Sequence, residues 1–192
     1  KINWESNVQS DGPDLIIEDS KDIDNWDIPN LNIDNNLDII TWNCEFFPIA
    51  KDSTIRALSE AVYDLNPDII AFQEIKNRGW FGMLMELLPD FNYIISQQSS
   101  FMDQAIIYKE EDFTLVNRLE LFAENDYNFA GRPPLKADFI HNKTNLKFSV
   151  INLHMKCCDS GLQRRIKAAE MLYDYVNNEI DVNGNLIILG DW

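Results

Sequence analysis

The sequence predicts a layered α/β domain, because strand-like and helix-like segments alternate along most of the chain. Several short apolar runs are bounded by turn residues, as is typical of strands, and two longer segments have the three-to-four-residue apolar spacing of a helix with one buried face. Strands and helices mixed in this way pack as helices against sheets. With 192 residues and 45% hydrophobic side chains, the chain can bury a sizeable core as one domain.

The predicted domain begins with a strand, a helix and a second strand. The first strand is Leu37–Trp42, and either Asp52 or Ser53 can cap the helix that follows. Asn66-Pro67 ends this helix, and Asp68–Phe72 is apolar enough to be a buried strand. One face of the helix is apolar and consists of Ile55, Leu58, Val62 and Leu65.

The rest of the chain predicts two more helices and several strands. A short helix at Trp80–Leu88 ends at Pro89, and Asn185–Leu189 is the last strand. A longer amphipathic helix at Gly161–Asn178 has a predicted inward face of Leu162, Ile166, Ala169, Leu172 and Val176. Between these helices the pattern predicts strands at Tyr93–Ser96, Gln104–Tyr108, Phe113–Leu119, Leu135–His141 and Leu146–Asn152.

Residues 1–36 differ from the rest in composition. Acidic residues there far outnumber Lys1 and Lys21, and apolar residues are scattered between the breakers Pro13 and Pro29. This composition predicts an acidic extension or linker that precedes a domain at residues 37–192.

The whole chain is strongly acidic, with a formal net charge of −16. This charge opposes non-specific attraction to nucleic acid, whose phosphates favour lysine and arginine. It does not exclude a nuclease, because a bound divalent cation reverses the local potential. The sequence has no apolar run of about 18 residues, so we expect no transmembrane helix.

The three cysteines leave two interpretations open. Cys44, Cys157 and Cys158 lack the spacing of a zinc site. A disulfide between Cys44 and one of the adjacent pair would indicate an oxidising compartment and hence a secreted or periplasmic protein. Free thiols fit the sequence equally well.

Four strand-like runs end in a polar residue. The four residues are an amide, two carboxylates and an imidazole, namely Asn43, Glu74, His154 and Asp191. Open sheets build sites from side chains at the carboxyl ends of their strands. Convergence of these four groups would suit a metal-assisted hydrolase.

The order of these motifs resembles the endonuclease/exonuclease/phosphatase family, the deoxyribonuclease-I-like phosphodiesterases. The shared motifs are Trp-Asn, Gln-Glu, Asn-Leu-His and Gly-Asp-Trp, and the resemblance runs from about Leu37 to Trp192. It implies two packed mixed sheets flanked by helices. In the family an asparagine follows Gly-Asp-aromatic and a second half follows that, so we expect residues 37–192 to be the N-terminal part of such a domain, incomplete and inactive alone.

The resemblance also implies roles for the strand-end residues. Glu74 would bind Mg²⁺, with Mn²⁺ or Ca²⁺ as alternatives, and Asn43 would hold the metal or its water. His154 would contact the phosphate and assist the leaving group, which suits an imidazole. Asp191 would orient the attacking water or a second cation. Taken singly, Glu74 and His154 would more often be exposed polar groups at strand ends, and Asn43 would often be a turn residue.

One further residue has a weaker assignment. Arg132 lies between Gly131 and Pro133, before a predicted strand, and the family often has an arginine here that reaches a substrate phosphate. Arginine suits that contact, although a solvated loop arginine fits equally well. The second histidine, His141, lacks any such context and is interpreted as structural.

The leading functional hypothesis is a magnesium-dependent endonuclease that acts on DNA. A lipid phosphodiesterase of the sphingomyelinase kind, or a sugar- or inositol-phosphate phosphatase, is the alternative within the fold, since a fold does not fix the substrate. A truncated, non-catalytic binding domain is the alternative outside catalysis. A lipid enzyme should expose aromatic residues to a membrane, and the one candidate pair, Trp80-Phe81, is better explained by helix packing.

Overall fold

The computed structural model describes residues 26–33, 36–98, 101–179 and 184–192. Most of the predicted acidic extension lies outside these residues. The described strands are β1 (Ile39–Phe47), β2 (Ile69–Ile75), β3 (Phe91–Ile95), β4 (Asp103–Lys109), β5 (Phe113–Glu120), β6 (Leu135–His141), β7 (Lys147–His154) and β8 (Asn185–Asp191). The described helices are α1 (Asp52–Leu65), α2 (Arg78–Glu86) and α3 (Leu162–Glu179). Each element predicted between Leu37 and Leu189 forms, with shifted ends in most cases.

The strands form two four-stranded mixed sheets. The first sheet has the order β1-β2-β4-β3 and the second β5-β6-β7-β8. Within them β1 and β2 are parallel, as are β7 and β8, and the other neighbouring strands are antiparallel. Each sheet therefore contributes one pair of parallel strands whose carboxyl ends lie side by side.

The two sheets pack face to face, with helices on their outer sides. The core between the sheets combines residues such as Ile69 and Ile106 with Phe139 and Val150. The helices α1 and α2 cover the first sheet, and α3 covers the second. The predicted sandwich of two packed mixed sheets flanked by helices is confirmed. Among the described residues, no helix is long and apolar enough to cross a membrane.

The two helices on the first sheet form where the sequence predicts them, although α2 begins earlier. Ile55, Leu58 and Val62 are buried on α1, and Asn66 adopts the left-handed conformation that ends it. The predicted start of α2 at Trp80 is late, because the Asn77 side chain accepts a hydrogen bond from the Trp80 amide and the helix begins at Arg78.

The predicted inward face of α3 is largely wrong. Leu162 and Ile166 are 50% and 45% exposed, and Ala169 is exposed as well. The buried residues are Ala168 and Leu172. The helix has apolar residues along two neighbouring stripes, and the second sheet packs on the stripe that contains Leu172. Periodicity alone gives both stripes the same helical spacing, so it could not identify the one that faces the sheet.

Strand β1 continues beyond its predicted end at Trp42. A bulge between Asn43 and Phe47 shifts its register against β2, and Glu45 and Phe46 have φ of 40° and 57°. Asn43 and Glu45 interrupt the apolar pattern, so the sequence does not predict this part of the strand. Bulges of this kind re-aim side chains near functional sites, and this one lies at the end of β1 that carries Asn43.

The close approach of strand β7 explains why the residue before Asp191 is glycine. Gly190 has φ of +137°, and a Cβ there would lie 2.1 Å from the Leu153 carbonyl oxygen on β7. We therefore expect Gly190→Ala to lower the free energy of unfolding by roughly 3 kcal/mol or more. Denaturant titration followed by circular dichroism measures this.

Gly131→Ala is the matched control for that substitution. Gly131 also has a positive φ, of +73°, but no heavy atom lies within 4 Å of the Cβ position. Only the backbone strain of about 1–2 kcal/mol should appear there. Equal losses in the two variants would contradict the steric explanation for Gly190.

Candidate active site

The four polar strand ends meet at one edge of the sandwich. Asn43 and Glu74 come from the parallel pair β1 and β2, and His154 and Asp191 from the parallel pair β7 and β8. The Asn43 Nδ2 donates to Glu74 Oε1 at 3.0 Å and to Asp191 Oδ2 at 2.8 Å. The Asn43 amide therefore joins the carboxylates of the two sheets.

His154 completes this group. Its Nε2 lies 3.6 Å from Glu74 Oε1 and 3.8 Å from Asp191 Oδ2, and the side chain is only 5% exposed. One ligand atom from each of Glu74, His154 and Asp191 lies within 4.8 Å of the others. The His154 Nδ1 is buried and has no hydrogen-bond partner among the described residues. The side that faces the carboxylates is thus Nε2.

Burial keeps His154 neutral at pH 7. Desolvation and, second, the nearby Arg132 charge lower its pKa to about 4, although Asp191 and Glu74 oppose this shift. A neutral imidazole carries its proton on one nitrogen. Because Nε2 faces two carboxylate oxygens, we assign the proton to Nε2, which can then donate a hydrogen bond into the site.

The lowered pKa of His154 predicts that acid destabilises the fold. An unfolded histidine titrates near pH 6.5, so between about pH 6.5 and pH 4 the unfolded chain binds a proton that the folded chain does not. The contribution of His154 is fully present above pH 6.5 and falls by up to about 3 kcal/mol as the pH drops to 4. Denaturant unfolding at a series of pH values, in chelator, measures the slope.

Variants separate this slope from the titration of the carboxylates. His154→Gln should flatten the pH dependence between pH 6.5 and 4, whereas His141→Gln should leave it unchanged. His141 is the other histidine of the chain and forms a hydrogen bond with Thr144 Oγ1 outside the site. An unaltered slope in His154→Gln would contradict the assignment.

Backbone amides of the β1 bulge orient the site. The Phe46 amide donates to Glu74 Oε2 at 3.0 Å, and the Glu45 amide donates to Asn43 Oδ1 at 2.8 Å. Glu74 itself has φ of 64° in the irregular stretch of β2. The side chains of Asn43 and Glu74 are therefore held by the local backbone as well as by each other.

The donor set fits a hard divalent cation. Mg²⁺ prefers carboxylate and amide oxygens and keeps several waters, and Glu74, Asp191 and Asn43 supply such oxygens. In this structure the Asn43 N–H groups lie between the two carboxylates and offset their charge. A half-turn of the amide would present Oδ1 in place of Nδ2, so the same residue can face a cation.

Arg132 is adjacent to the site and is held by the backbone. Its Nε donates to the His154 carbonyl at 3.2 Å and its Nη2 to the Met155 carbonyl at 2.6 Å. Desolvation lowers its pKa, with the charges of Glu74, Cys157 and Asp191 opposing. The third nitrogen, Nη1, donates to the Met102 sulfur at 3.8 Å and to no oxygen of the residues that the structure describes. The phosphate contact of Arg132 stays a prediction, with Nη1 as the donor left for it.

A pair of buried amides lies behind the site and was not predicted from the sequence. Gln73 Nε2 donates to Asn152 Oδ1 at 2.7 Å, and Asn152 Nδ2 donates to the Phe72 and Ala105 carbonyls. Both side chains are essentially inaccessible to solvent. They link the first sheet to the second just behind Glu74 and His154. The available signal was a polar residue inside each apolar run, close before the strand-end residue.

All three cysteines are free thiols in the structure. Cys44 is half-buried, and burial and then the Glu74 charge raise its pKa to about 12. Cys157 and Cys158 are exposed. The structure thus corresponds to the second of the two interpretations, free thiols, and has no bond between Cys44 and the adjacent pair.

No known protein-family model matches the chain, and no curated protein sequence matches it. Solved structures do. D. rerio TDP2 complexed with single strand DNA product superposes with a TM-score of 0.66 at 15% identity, over 82% of this chain and 60% of that one. A mannosyl-6-phosphatase of Bacteroides thetaiotaomicron gives a TM-score of 0.61 at 15% identity, over 81% and 65%.

A third solved structure is that of a member of the family that the motifs resemble. An endonuclease/exonuclease/phosphatase family protein from Bacteroides thetaiotaomicron gives a TM-score of 0.53 at 17% identity, over 70% of this chain and 53% of that one. The chain therefore spans between about half and two thirds of the length of these neighbours. Their superposition on the two packed mixed sheets shows that the chain has the deoxyribonuclease-I-like fold of the endonuclease/exonuclease/phosphatase proteins.

Proposed function

We propose that the protein is a divalent-metal-dependent phosphoesterase that cleaves phosphodiester bonds of DNA. The observation that carries the proposal is the convergence of Asn43, Glu74, His154 and Asp191 within hydrogen-bonding or near-contact distance at one sheet edge. Phosphoester hydrolysis requires charge neutralisation, an oriented water and help for the leaving oxygen. This group of side chains can supply all three functions.

Glu74 and Asn43 would hold the cation, which when bound neutralises phosphoryl charge and acidifies a bound water. His154 carries its proton on Nε2 and can donate it as a hydrogen bond to a phosphoryl or leaving oxygen. Asp191 is 47% exposed at the mouth of the site and can accept a hydrogen bond from the attacking water. The Phe46 backbone amide keeps Glu74 in place during these steps.

DNA is the proposed substrate for two reasons. The D. rerio TDP2 structure shows this fold with a single strand DNA product. Arg132 lies beside His154, and its Nη1 contacts a sulfur rather than a backbone oxygen, which leaves this donor suited to a phosphate. Phosphate contacts position a substrate without reading its bases, so we expect little sequence preference.

A sugar phosphomonoesterase is the second candidate, because a mannosyl-6-phosphatase shares the fold. A lipid substrate has less support. The Trp80-Phe81 pair is buried in the core under the first sheet, as expected from its helical spacing, so it offers no aromatic surface to a membrane.

One assay separates the substrates. Supercoiled plasmid, sphingomyelin and mannose 6-phosphate are offered side by side to the whole protein that contains this chain, with Mg²⁺ and with excess chelator. We expect nicking of the plasmid with Mg²⁺, none in chelator, and a rate that falls with added salt because few cations attract DNA to so acidic a chain. Hydrolysis of the lipid or the sugar phosphate, with the plasmid intact, would overturn the proposed substrate but not the metal site.

A further inference from the structure

Two adjacent cysteines lie in the loop between β7 and α3 and have no part in the proposed chemistry. The sulfur atoms of Cys157 and Cys158 are 2.8 Å apart, and both side chains are exposed. The Lys156 ammonium donates to the Cys157 sulfur at 3.3 Å. The loop thus presents two sulfurs and a cation together at the surface.

The loop holds these sulfurs in place. One nitrogen of Arg165, Nη1, donates to the Lys156 carbonyl at 2.6 Å and to the Cys158 carbonyl at 2.9 Å. The Gly161 amide donates to the same Cys158 carbonyl at 2.9 Å. Cys158 has φ of 69° and ψ of 168°, a backbone region used almost only by glycine that costs on the order of 1–3 kcal/mol. These contacts offset that cost and fix the pair in one arrangement.

A hydrogen bond joins the two thiols, with Cys158 as the donor. Hydrogen bonds from Cys158 and from Lys156 lower the pKa of Cys157, and the hydrogen bond and charge of Cys157 raise the pKa of Cys158. Of the two thiols, Cys157 therefore loses its proton more readily. Thiolates are both the nucleophilic and the metal-binding form of cysteine.

We infer that Cys157 and Cys158 form a chelating site for thiophilic ions, with trivalent arsenic as the representative ligand. Soft sulfur donors select soft ions, whereas the oxygen donors of Glu74 and Asp191 select hard ones. The chain therefore carries two binding sites of opposite preference. Cys157 lies three residues after His154. It is in the same loop as Met155, whose carbonyl accepts a hydrogen bond from Arg132.

Chelation suits this pair better than a disulfide between the two residues. Adjacent Cα atoms are about 3.8 Å apart across a trans peptide, whereas disulfides usually join Cα atoms separated by about 4.4 Å or more. A direct S–S bond also requires about 2.05 Å, which is shorter than the 2.8 Å found. An ion between the sulfurs does not require that approach.

The reaction with phenylarsine oxide is balanced without an oxidant. Two S–As bonds form, the As–O bond breaks, and the oxygen leaves as water with the two thiol protons. Arsenic remains trivalent, and no other reagent is consumed.

The test titrates the protein with phenylarsine oxide and reads intact mass. We expect one equivalent bound, a mass increase equal to the arsenical less one water, and release by ethanedithiol but not by a monothiol. Cys157→Ser and Cys158→Ser should each weaken binding by about 10²-fold or more, because a chelate is lost. Cys44→Ser, at the half-buried thiol, should bind as the wild type does.

A second measurement uses the unmodified protein and needs no turnover. Bound arsenical should protect Cys157 and Cys158, and not Cys44, from alkylation by N-ethylmaleimide, as read by peptide mass. Undiminished affinity in either serine variant at the pair, or equal alkylation of the pair with and without arsenical, would overturn the inference. Neither result depends on the proposed hydrolysis of DNA.

Discussion

Replacing Glu74 by glutamine should lower turnover by about 10²-fold or more while leaving the fold almost as stable. The carboxylate is the only charged oxygen donor that β1 or β2 brings into contact with Asn43. Even residues that merely orient metal ligands cost 10- to 100-fold when changed, so a ligand should cost at least that. Glutamine keeps the shape and can still accept from the Phe46 amide, and it removes a charge close to Asp191. We expect the free energy of unfolding to change by about 1 kcal/mol or less.

Plasmid nicking as a function of Mg²⁺ concentration measures the effect. The variant should need more Mg²⁺ for half-maximal rate as well as having a lower maximum. Glu86→Gln, at an exposed glutamate at the end of α2, is the matched control and should behave as the wild type. Wild-type turnover in Glu74→Gln at limiting Mg²⁺ would rule out Glu74 as a ligand.

Replacing His154 by alanine should lower plasmid nicking by roughly 10²- to 10⁴-fold, the usual range for a positioned proton donor. If the Nε2–H group assists the leaving oxygen, the loss depends on how much help that oxygen needs. A DNA alkoxide is a poor leaving group, whereas p-nitrophenolate leaves unaided. The deficit should therefore shrink by at least about tenfold on a p-nitrophenyl phosphodiester.

Comparing the two substrates distinguishes catalysis from damage to the fold. Alanine removes a buried ring and leaves a cavity, so some loss of stability is expected. Unfolding would lower the turnover of both substrates equally, whereas loss of leaving-group assistance would lower the turnover of the plasmid far more than that of the p-nitrophenyl diester. His141→Ala provides the control at the other histidine. An equal deficit on both substrates in a folded variant would remove the leaving-group role.

The sequence contained enough information for the strands and for the four strand-end residues, because each strand is a compact apolar run with a polar terminus. Parallel neighbours then place Asn43 beside Glu74 and His154 beside Asp191 without further detail. Local signals also marked the ends of α1 and β6. In each of these cases, residues close together in the sequence determine where the element lies or ends.

Features that depend on distant packing were not predictable in the same way. Two apolar stripes on α3 have similar spacing, and only the second sheet decides which is buried. The bulge after Asn43 brings the Phe46 amide to the Glu74 carboxylate, a contact between residues 28 positions apart that no local turn signal marks. Likewise, Gln73 and Asn152 are 79 residues apart, and nothing local shows that they meet.

The hydrogen bond between Gln73 and Asn152 limits how far the two sheets can slide past each other at the site. The four strand-end residues are split between two sheets, and a slip of one sheet by a single residue would shift them by about 3.3 Å, nearly as far as the 3.6 Å that separates His154 from Glu74. Such a slip would break this hydrogen bond and those from Asn152 to the Phe72 and Ala105 carbonyls. The relative position of the four strand-end residues is thus fixed from the dry interior, and any repacking of that interior for stability must retain these two amides to keep those residues together.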